Sequence, residues 1–159
     1  MSHEYTYDIS MFRDTFETRF TYLNGFLRNV SRFGSRPALF DPRSGRRWTY
    51  RELNAEANRL AHALRADGVG KNDVVMFTLL NSPEFVFCYL AAHKIGAVAC
   101  PVNYRQGAGE IALVIDDSTP KAFIYDAEFG ELSGGALDLC ENKPAIKIVV
   151  GADDAVPAG

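Results

Sequence analysis

The sequence predicts an α/β protein, a mainly parallel β-sheet flanked by helices and preceded by a short N-terminal hairpin. Three observations lead there. From Val74 onward, short apolar runs alternate with helix-period segments through brief connections. Just upstream, Thr49 and Glu52 stand three residues apart at the head of a segment with a clear helical stripe. Before that, Asp41-Pro42-Arg43-Ser44-Gly45 separates two short β-prone stretches.

In chain order, Phe20, Leu23, Leu27 and Val30 fall at helical spacing, and Phe33 extends the stripe to an expected stop at Gly34. Pro37–Phe40 and Arg46–Thr49 form the arms of the hairpin. Thr49 and Glu52 make a capping box, each side chain satisfying an orphan backbone N–H of the other residue. Leu53, Ala57, Leu60 and Leu64 line one face of the helix that follows, and Gly68 supplies its stop. Val74 to Leu80 is almost wholly apolar, as a strand covered on both faces must be.

Ser82 is the expected N-cap of the next helix, with Pro83 in its first turn and Glu84 complementing the dipole. Phe85 to Ala92 is a run of eight apolar residues, so this helix is expected to be enclosed on most sides. Gly96 ends it, and Ala97 to Val102 is the next strand. Ile111, Val114 and Ile115 mark a shorter helix that closes before Pro120. Ala122–Tyr125 and Ile146–Val150 are two further strands; the segment between them has helical leucines interrupted by Gly134-Gly135. Residues 151–159 have the composition of a linker or loop.

With 47% apolar and 23% charged residues, the 159-residue chain fits one ordinary domain spanning residues 1–159. A net charge of −3 gives no global attraction to nucleic acid or to anionic membrane. The charge is uneven: residues 1–66 carry eleven Arg against seven acids, and residues 67–159 carry six basic residues against thirteen acids. Either the two faces are decorated differently, or the basic half docks on the rest of the protein or on a second copy. Three cysteines without C-x-x-C spacing point to free thiols in a reducing compartment. Met1 to Phe12 lacks the basic and apolar regions of a signal peptide, and no apolar run approaches the ~18 residues a spanning helix needs. A cytoplasmic location without a transmembrane segment is expected.

Several motifs resemble chemistry and fail on detail. Gly107-Ala108-Gly109-Glu110-Ile111-Ala112 fits G-x-G-x-x-A, but Asn103 to Gln106 separate it from the preceding strand, so a pyrophosphate would not reach the helix start. Gly68-Val69-Gly70-Lys71 would need Gly at Arg65 and Ser or Thr at Asn72 to be a phosphate loop. His3, His62 and His93 lack metal-ligand spacing, and Cys88 and His93 do not share a helix face. Asp116-Asp117 point in different directions on a helix. Arg43, Arg46, Arg47 and Arg51 around Trp48 form a basic and aromatic cluster, but one Trp in an acidic chain makes a poor single-strand platform, and no nucleic acid is expected as a partner.

The order Thr49-Tyr50-Arg51-Glu52-Leu53, Asn58-Arg59-Leu60-Ala61, Gly68-Val69, Asp73-Val74-Val75, Asn81, Glu84, Gly96-Ala97-Val98, Pro101-Val102-Asn103 and Asp117-Ser118 resembles the N-terminal portion of the acyl-adenylate-forming (AMP-binding) superfamily. The match covers roughly residues 36–126. Asn103 followed two residues later by Arg105 is more similar to fatty-acyl and aryl-acyl CoA ligases than to peptide-synthetase adenylation domains. Two departures stand out: Gly is common in the family where Asn72 sits, and Thr or Ser with Pro where Gly107-Ala108-Gly109 opens a helix.

The resemblance implies a full-length acid–CoA ligase that uses ATP, Mg²⁺ and CoA to convert a fatty or aryl carboxylate to acyl-AMP and then to acyl-CoA. It implies that residues 1–159 are an N-terminal subdomain truncated before the nucleotide-binding motifs, inactive alone and binding none of these cofactors itself. No catalytic, cofactor-binding or metal-binding residue is therefore assigned. The expected partner is the remainder of the same polypeptide, with a homodimer open. A non-catalytic module of the same fold, a peptide-synthetase adenylation domain and a small NAD(P)-binding domain are the competing readings.

Overall fold

The protein is described by a computed structural model covering residues 8–151. Helix α1 (Ile9–Arg13) runs into a π-helical segment, Asp14–Arg19, before α2 (Tyr22–Phe33) begins. Helix α2 starts two residues later than the apolar spacing indicates, because the Thr21 hydroxyl accepts the Asn24 N–H at 3.2 Å and caps it there. Gly34 follows α2 but is not a left-handed stop, since its φ is −50°. What requires glycine is close approach: a Cβ would lie 2.8 Å from the Val30 carbonyl oxygen.

Strands β1 (Pro37–Phe40) and β2 (Arg47–Thr49) pair antiparallel, with Leu39 opposite Trp48. The Asp41 carboxylate closes their loop by accepting the backbone N–H groups of Arg43 (3.0 Å) and Ser44 (3.2 Å). Helix α3 (Tyr50–Ala66) opens on the expected capping box: Thr49 Oγ1 accepts the Glu52 N–H at 3.3 Å, and the Glu52 carboxylate accepts the Thr49 N–H at 2.8 Å. Its buried stripe is Leu53, Ala57, Ala61 and Leu64, so Ala61 takes the deep position expected of Leu60.

The remainder alternates as the sequence indicates: β3 (Val74–Thr78), α4 (Pro83–Ile95), β4 (Val98–Pro101), α5 (Ala108–Ser118), β5 (Ala122–Asp126), α6 (Gly130–Leu139) and β6 (Ile146–Val150). The four strands β3–β6 form one parallel sheet in the order β4-β3-β5-β6. Alternation along β3 sends Val75 and Phe77 into one core with Leu64, Cys88, Ala91 and Ala92 of α3 and α4. Met76 points the other way, into a second core with Ile111 and Ile115 of α5 and Ala136 of α6. Both faces of the sheet are therefore covered, which explains why β3 lacks polar alternation. A third core, built from Phe26, Trp48, Leu53, Ala57 and Leu90, joins α2 and the hairpin to α3 and α4.

One local expectation is corrected, and two helix starts differ in how they are capped. Gly134-Gly135 does not interrupt α6, which runs unbroken through both. A glycine inside a helix costs about 1 kcal/mol, but Gly135 packs against α5, where a Cβ on it would be 3.4 Å from that of Ala108. Ser82 occupies the N-cap position of α4, yet its hydroxyl makes no cap bond. The glycine-led start of α5 is firm, because the Glu110 carboxylate accepts the Gly107 N–H at 2.7 Å. Gly96 does end α4 as expected, at φ +74°, with the Ala97 N–H closing on the Ala92 carbonyl at 2.9 Å.

Candidate functional site

In a doubly wound sheet, ligands approach the carboxyl ends of the strands near the point where strand order reverses. Here β3 is followed by β4 on one side and β5 is added on the other, so that point lies between β3 and β5. Beside it, a cavity of ≈ 290 Å³ at the carboxyl ends of β3 and β4 is lined by Leu79, Asn81, Phe85, Pro101, Val102, Asn103 and Tyr104. Tyr104 stacks nearly flat on Phe129, with centroids 4.8 Å apart and planes 7° apart, tying the loop after β4 to the turn after β5. The Asn103 side-chain oxygen accepts the Arg105 N–H at 3.0 Å, and the Arg105 guanidinium lies 5.7 Å from the Tyr104 ring centre. Asn103 and Arg105, the pair that distinguishes ligase-like sequences, thus lie exposed at the ligand-facing edge.

In each glycine-rich stretch one amide is already held by a carboxylate of the chain itself. At Gly107-Ala108-Gly109 the Glu110 carboxylate already holds the Gly107 N–H, and its charge opposes an incoming anion. At Gly68–Lys71 the Gly70 N–H is donated to the Asp73 carboxylate at 2.7 Å. The Lys121 ammonium spans this turn, donating to the Gly68 carbonyl at 2.6 Å and to Asp73 at 3.1 Å. The Gly70 N–H, and after it Lys121, hold the Asp73 carboxyl below its usual range. Sequence reasoning missed this clamp, because Lys121 lies 48 residues from Asp73 and no local pattern marks it.

The other weighed residues serve the fold. Cys88 is buried at 2% exposure, and burial, reinforced by Glu84, pushes its thiol up to about 12, which leaves no nucleophilic thiolate at neutral pH. The His93 Nδ1 lies 2.7 Å from the Tyr89 carbonyl oxygen, and the His93 ring stacks on Tyr89, whereas His62 is exposed. His3 lies outside the described residues. The Asp116 carboxylate accepts the N–H groups of Glu141 (2.9 Å) and Asn142 (2.8 Å), tying the end of α5 to the loop after α6; Asp117 is exposed. In the basic cluster, Trp48 is buried, with the Arg46 guanidinium 4.7 Å from its centre, and Arg47 covers Phe40. Those rings are occupied and form no stacking platform. Among the described residues no three His, Cys, Asp or Glu are grouped to hold a metal ion, and no helix is long and apolar enough to cross a membrane.

Two features went unread in the sequence. Thr78 and Ser133 are completely buried, and their hydroxyls have no hydrogen-bond partner among the described residues. A long apolar trough also runs along the outward face of α4. Cavities of ≈ 540 Å³ and ≈ 460 Å³ share Tyr22 and Val86 there, and a third of ≈ 260 Å³ shares Leu39, Phe85 and Val86 with them.

The doubly wound sheet with its N-terminal hairpin defines an α/β scaffold, and comparison with known proteins identifies it further. Residues 26–158 match the family model of the AMP-binding enzymes, and the chain belongs to that family. It is 44% identical over 107 residues to a 3-hydroxybenzoate/4-hydroxybenzoate–CoA ligase of Thauera aromatica, an alignment covering 67% of this chain and 20% of that protein. It is 42% identical over 90 residues to the long-chain-fatty-acid–CoA ligase FadD13 of Mycobacterium tuberculosis, covering 57% of this chain and 18% of the relative. Among solved structures, a fatty acyl CoA synthetase of Mycobacterium tuberculosis superposes with a TM-score of 0.75 at 32% identity, over 83% of this chain and 27% of that one. The N-terminal domain of FACL13 from the same organism gives 0.73 at 32% identity, over 79% of this chain and 32% of that one. The chain thus spans about a fifth of the length of the curated relatives it matches.

Proposed function

We propose that this chain is the N-terminal subdomain, residues 1–159, of a cytoplasmic AMP-forming acid–CoA ligase that takes a fatty or aryl carboxylate. In the whole protein the carboxylate attacks the α-phosphate of Mg²⁺-bound ATP, giving acyl-AMP and pyrophosphate, and the CoA thiol then displaces AMP to give acyl-CoA. The observation that carries this reading is the family match over residues 26–158, joined to relatives that are aryl–CoA and fatty-acid–CoA ligases.

On this reading the chain by itself binds neither ATP nor Mg²⁺. Both glycine turns have given an amide to their own carboxylates, Glu110 and Asp73, and no acidic group among the described residues is set to hold a cation. The chain's part is therefore structural. It sets the sheet, presents Asn103, Tyr104 and Arg105 at the carboxyl edge, and offers the α4 trough to its surroundings.

The test is a chimera in which this chain replaces the matching N-terminal fifth of the Thauera aromatica ligase. We expect the chain alone to show no ATP–pyrophosphate exchange and no thermal shift with ATP, and the chimera to release AMP when hydroxybenzoate and CoA are supplied. Adenylation by the chain alone, or a soluble chimera inert toward both aryl and fatty carboxylates, refutes the reading.

A further inference from the structure

We infer that the exposed stripe Ile9, Phe12, Phe16 and Phe20, along α1 and the π-helical segment that continues it, is a dimerisation surface that docks on the same stripe of a second copy of this chain. The inference goes beyond the proposed catalysis. The stripe precedes residues 26–158, the part matched to the AMP-binding enzymes, so it is a feature of this chain outside what that match covers.

The four residues are spaced by three, four and four positions. On a regular α-helix a four-residue step overshoots a full turn by about 40°, so such a stripe winds off one face. The π-helical segment Asp14–Arg19, where the Phe20 N–H closes on the Thr15 carbonyl at 3.0 Å, holds more residues per turn and cancels that drift. The rings therefore form a continuous ladder, with centroids 4.6 Å apart between Phe12 and Phe16 and 5.5 Å apart between Phe16 and Phe20. Its end is tied to α2: the Asn24 amide donates to the Thr18 carbonyl at 2.6 Å, and the Arg28 guanidinium donates to the Arg19 carbonyl at 3.2 Å.

This ladder is not part of a core. Helix α1 has five residues and the π-helical segment six, and none of them is buried. A helix this short is marginal in water without packing, so a cover over its apolar side stabilises it. The four stripe residues are between 41% and 66% exposed, and Met11 and Tyr22 beside them are 67% and 65% exposed. At 150–250 Å² for an aromatic side chain, they offer about 700 Å² per copy, close to the ~800 Å² per partner of a standard stable interface.

Charge selects the occupant. From Asp8 to Tyr22 there are three acids, Asp8, Asp14 and Glu17, against two arginines, Arg13 and Arg19. They pair within the segment, Arg13 with Glu17 at 3.8 Å and Arg19 with Asp14 at 3.2 Å. A helix that lies on an anionic membrane carries an excess of Lys and Arg on its polar face instead. An apolar ladder with balanced charges meets its own copy without repulsion, in a two-fold contact where each stripe packs on the other. Offset or edge-to-face ring pairs across that contact strengthen it.

The experiment measures the mass of the chain by sedimentation as concentration rises, and places a thiol on the ladder, F16C, for oxidation to an intermolecular disulfide. The unmodified chain gives the background from Cys88, Cys100 and Cys140, and L113C, on the exposed side of α5, is the control thiol. We expect the mass to double across about 1–100 µM. F16C should crosslink into dimers at least tenfold faster than L113C, and F16E combined with F20E should remain monomeric with its far-UV circular dichroism and Tm retained. A chain monomeric throughout that range overturns the inference. Dimers that persist in the folded F16E/F20E variant, or equal crosslinking of F16C and L113C, place association on another surface and overturn it too. A monomeric chain that floats with phosphatidylglycerol vesicles, and loses this in F16E/F20E, assigns the stripe to a lipid surface, with the same consequence. If the double variant fails to fold, the F16C and L113C rates decide the question alone. None of these outcomes bears on the ligase reading, which the chimera tests separately.

Discussion

Replacing Thr78 with valine is predicted to stabilise the protein. Thr78 ends β3 in register with Tyr125, is 0% exposed, and its Oγ1 has no partner among the described residues. Valine keeps the β-branched shape that suits a strand and exchanges the hydroxyl for a methyl. Leaving a buried hydroxyl unpaired costs about 1–3 kcal/mol, and an added buried methyl-sized group contributes about 0.8 kcal/mol. The lower end of that range is the safer expectation, because the methyl must fit where a smaller group packed. We therefore expect T78V to raise the unfolding free energy by about 1 kcal/mol, with the denaturant slope unchanged. In a chain of this size that corresponds to roughly 2–4 °C in Tm. Urea titration followed by far-UV circular dichroism and by fluorescence of Trp48, the single tryptophan and 5% exposed, reports both secondary structure and the third core. A loss of about 1 kcal/mol instead would show that the Thr78 hydroxyl has a partner, and the reasoning would be refuted.

Other expectations follow from the same contacts. S133A, removing the second unpartnered buried hydroxyl, should leave stability unchanged or raised, and a clear loss in urea would contradict it. G96A should cost about 1–2 kcal/mol for a left-handed residue with a Cβ, with added crowding because that Cβ would stand 3.3 Å from Lys71 Cγ; unfolding that matches the unaltered chain would rule out the φ of +74°. The Asp73 carboxyl is held below its ordinary value of 3.8, so its stabilising effect is present above that pH and is lost as pH falls through the lowered value. Acid unfolding curves should therefore be shallower for D73N than for the unaltered chain, and parallel curves would dismiss the clamp. Cys88 should resist Ellman's reagent at pH 8 in the folded chain and react fully in urea; native-state labelling within minutes would contradict its burial.

Several features that depend on neighbours within one turn were readable in advance. The Thr49–Glu52 box, Pro83 at the first turn of α4 and the left-handed Gly96 are bonds and torsions among residues a few positions apart. Asn72, noted only as a departure from the resembled family, sits at φ +69°, a torsion that Gly adopts freely and Asn tolerates. Local reasoning failed where a distant element intervened. Gly134-Gly135 has the composition of a break, but the helix runs through both, and Gly135 faces Ala108 of α5. The Lys121–Asp73 clamp and the Tyr104–Phe129 stack each join residues from different strand–helix units, and composition alone does not pair them.

The sequence by itself determined the alternation of strands and helices, the caps that bound them and the kinship with AMP-binding enzymes, because periodicity, turn chemistry and motif order are properties of the chain read in one direction. Only the tertiary structure decided the strand order β4-β3-β5-β6, the placement of Asn103 and Arg105 at its carboxyl edge and the open trough along α4. The eight-residue apolar run shows the division most clearly. Its composition states that α4 must be surrounded, but the direction left uncovered depends on which faces the sheet, α2, α3 and the hairpin already occupy, and that follows from packing in three dimensions.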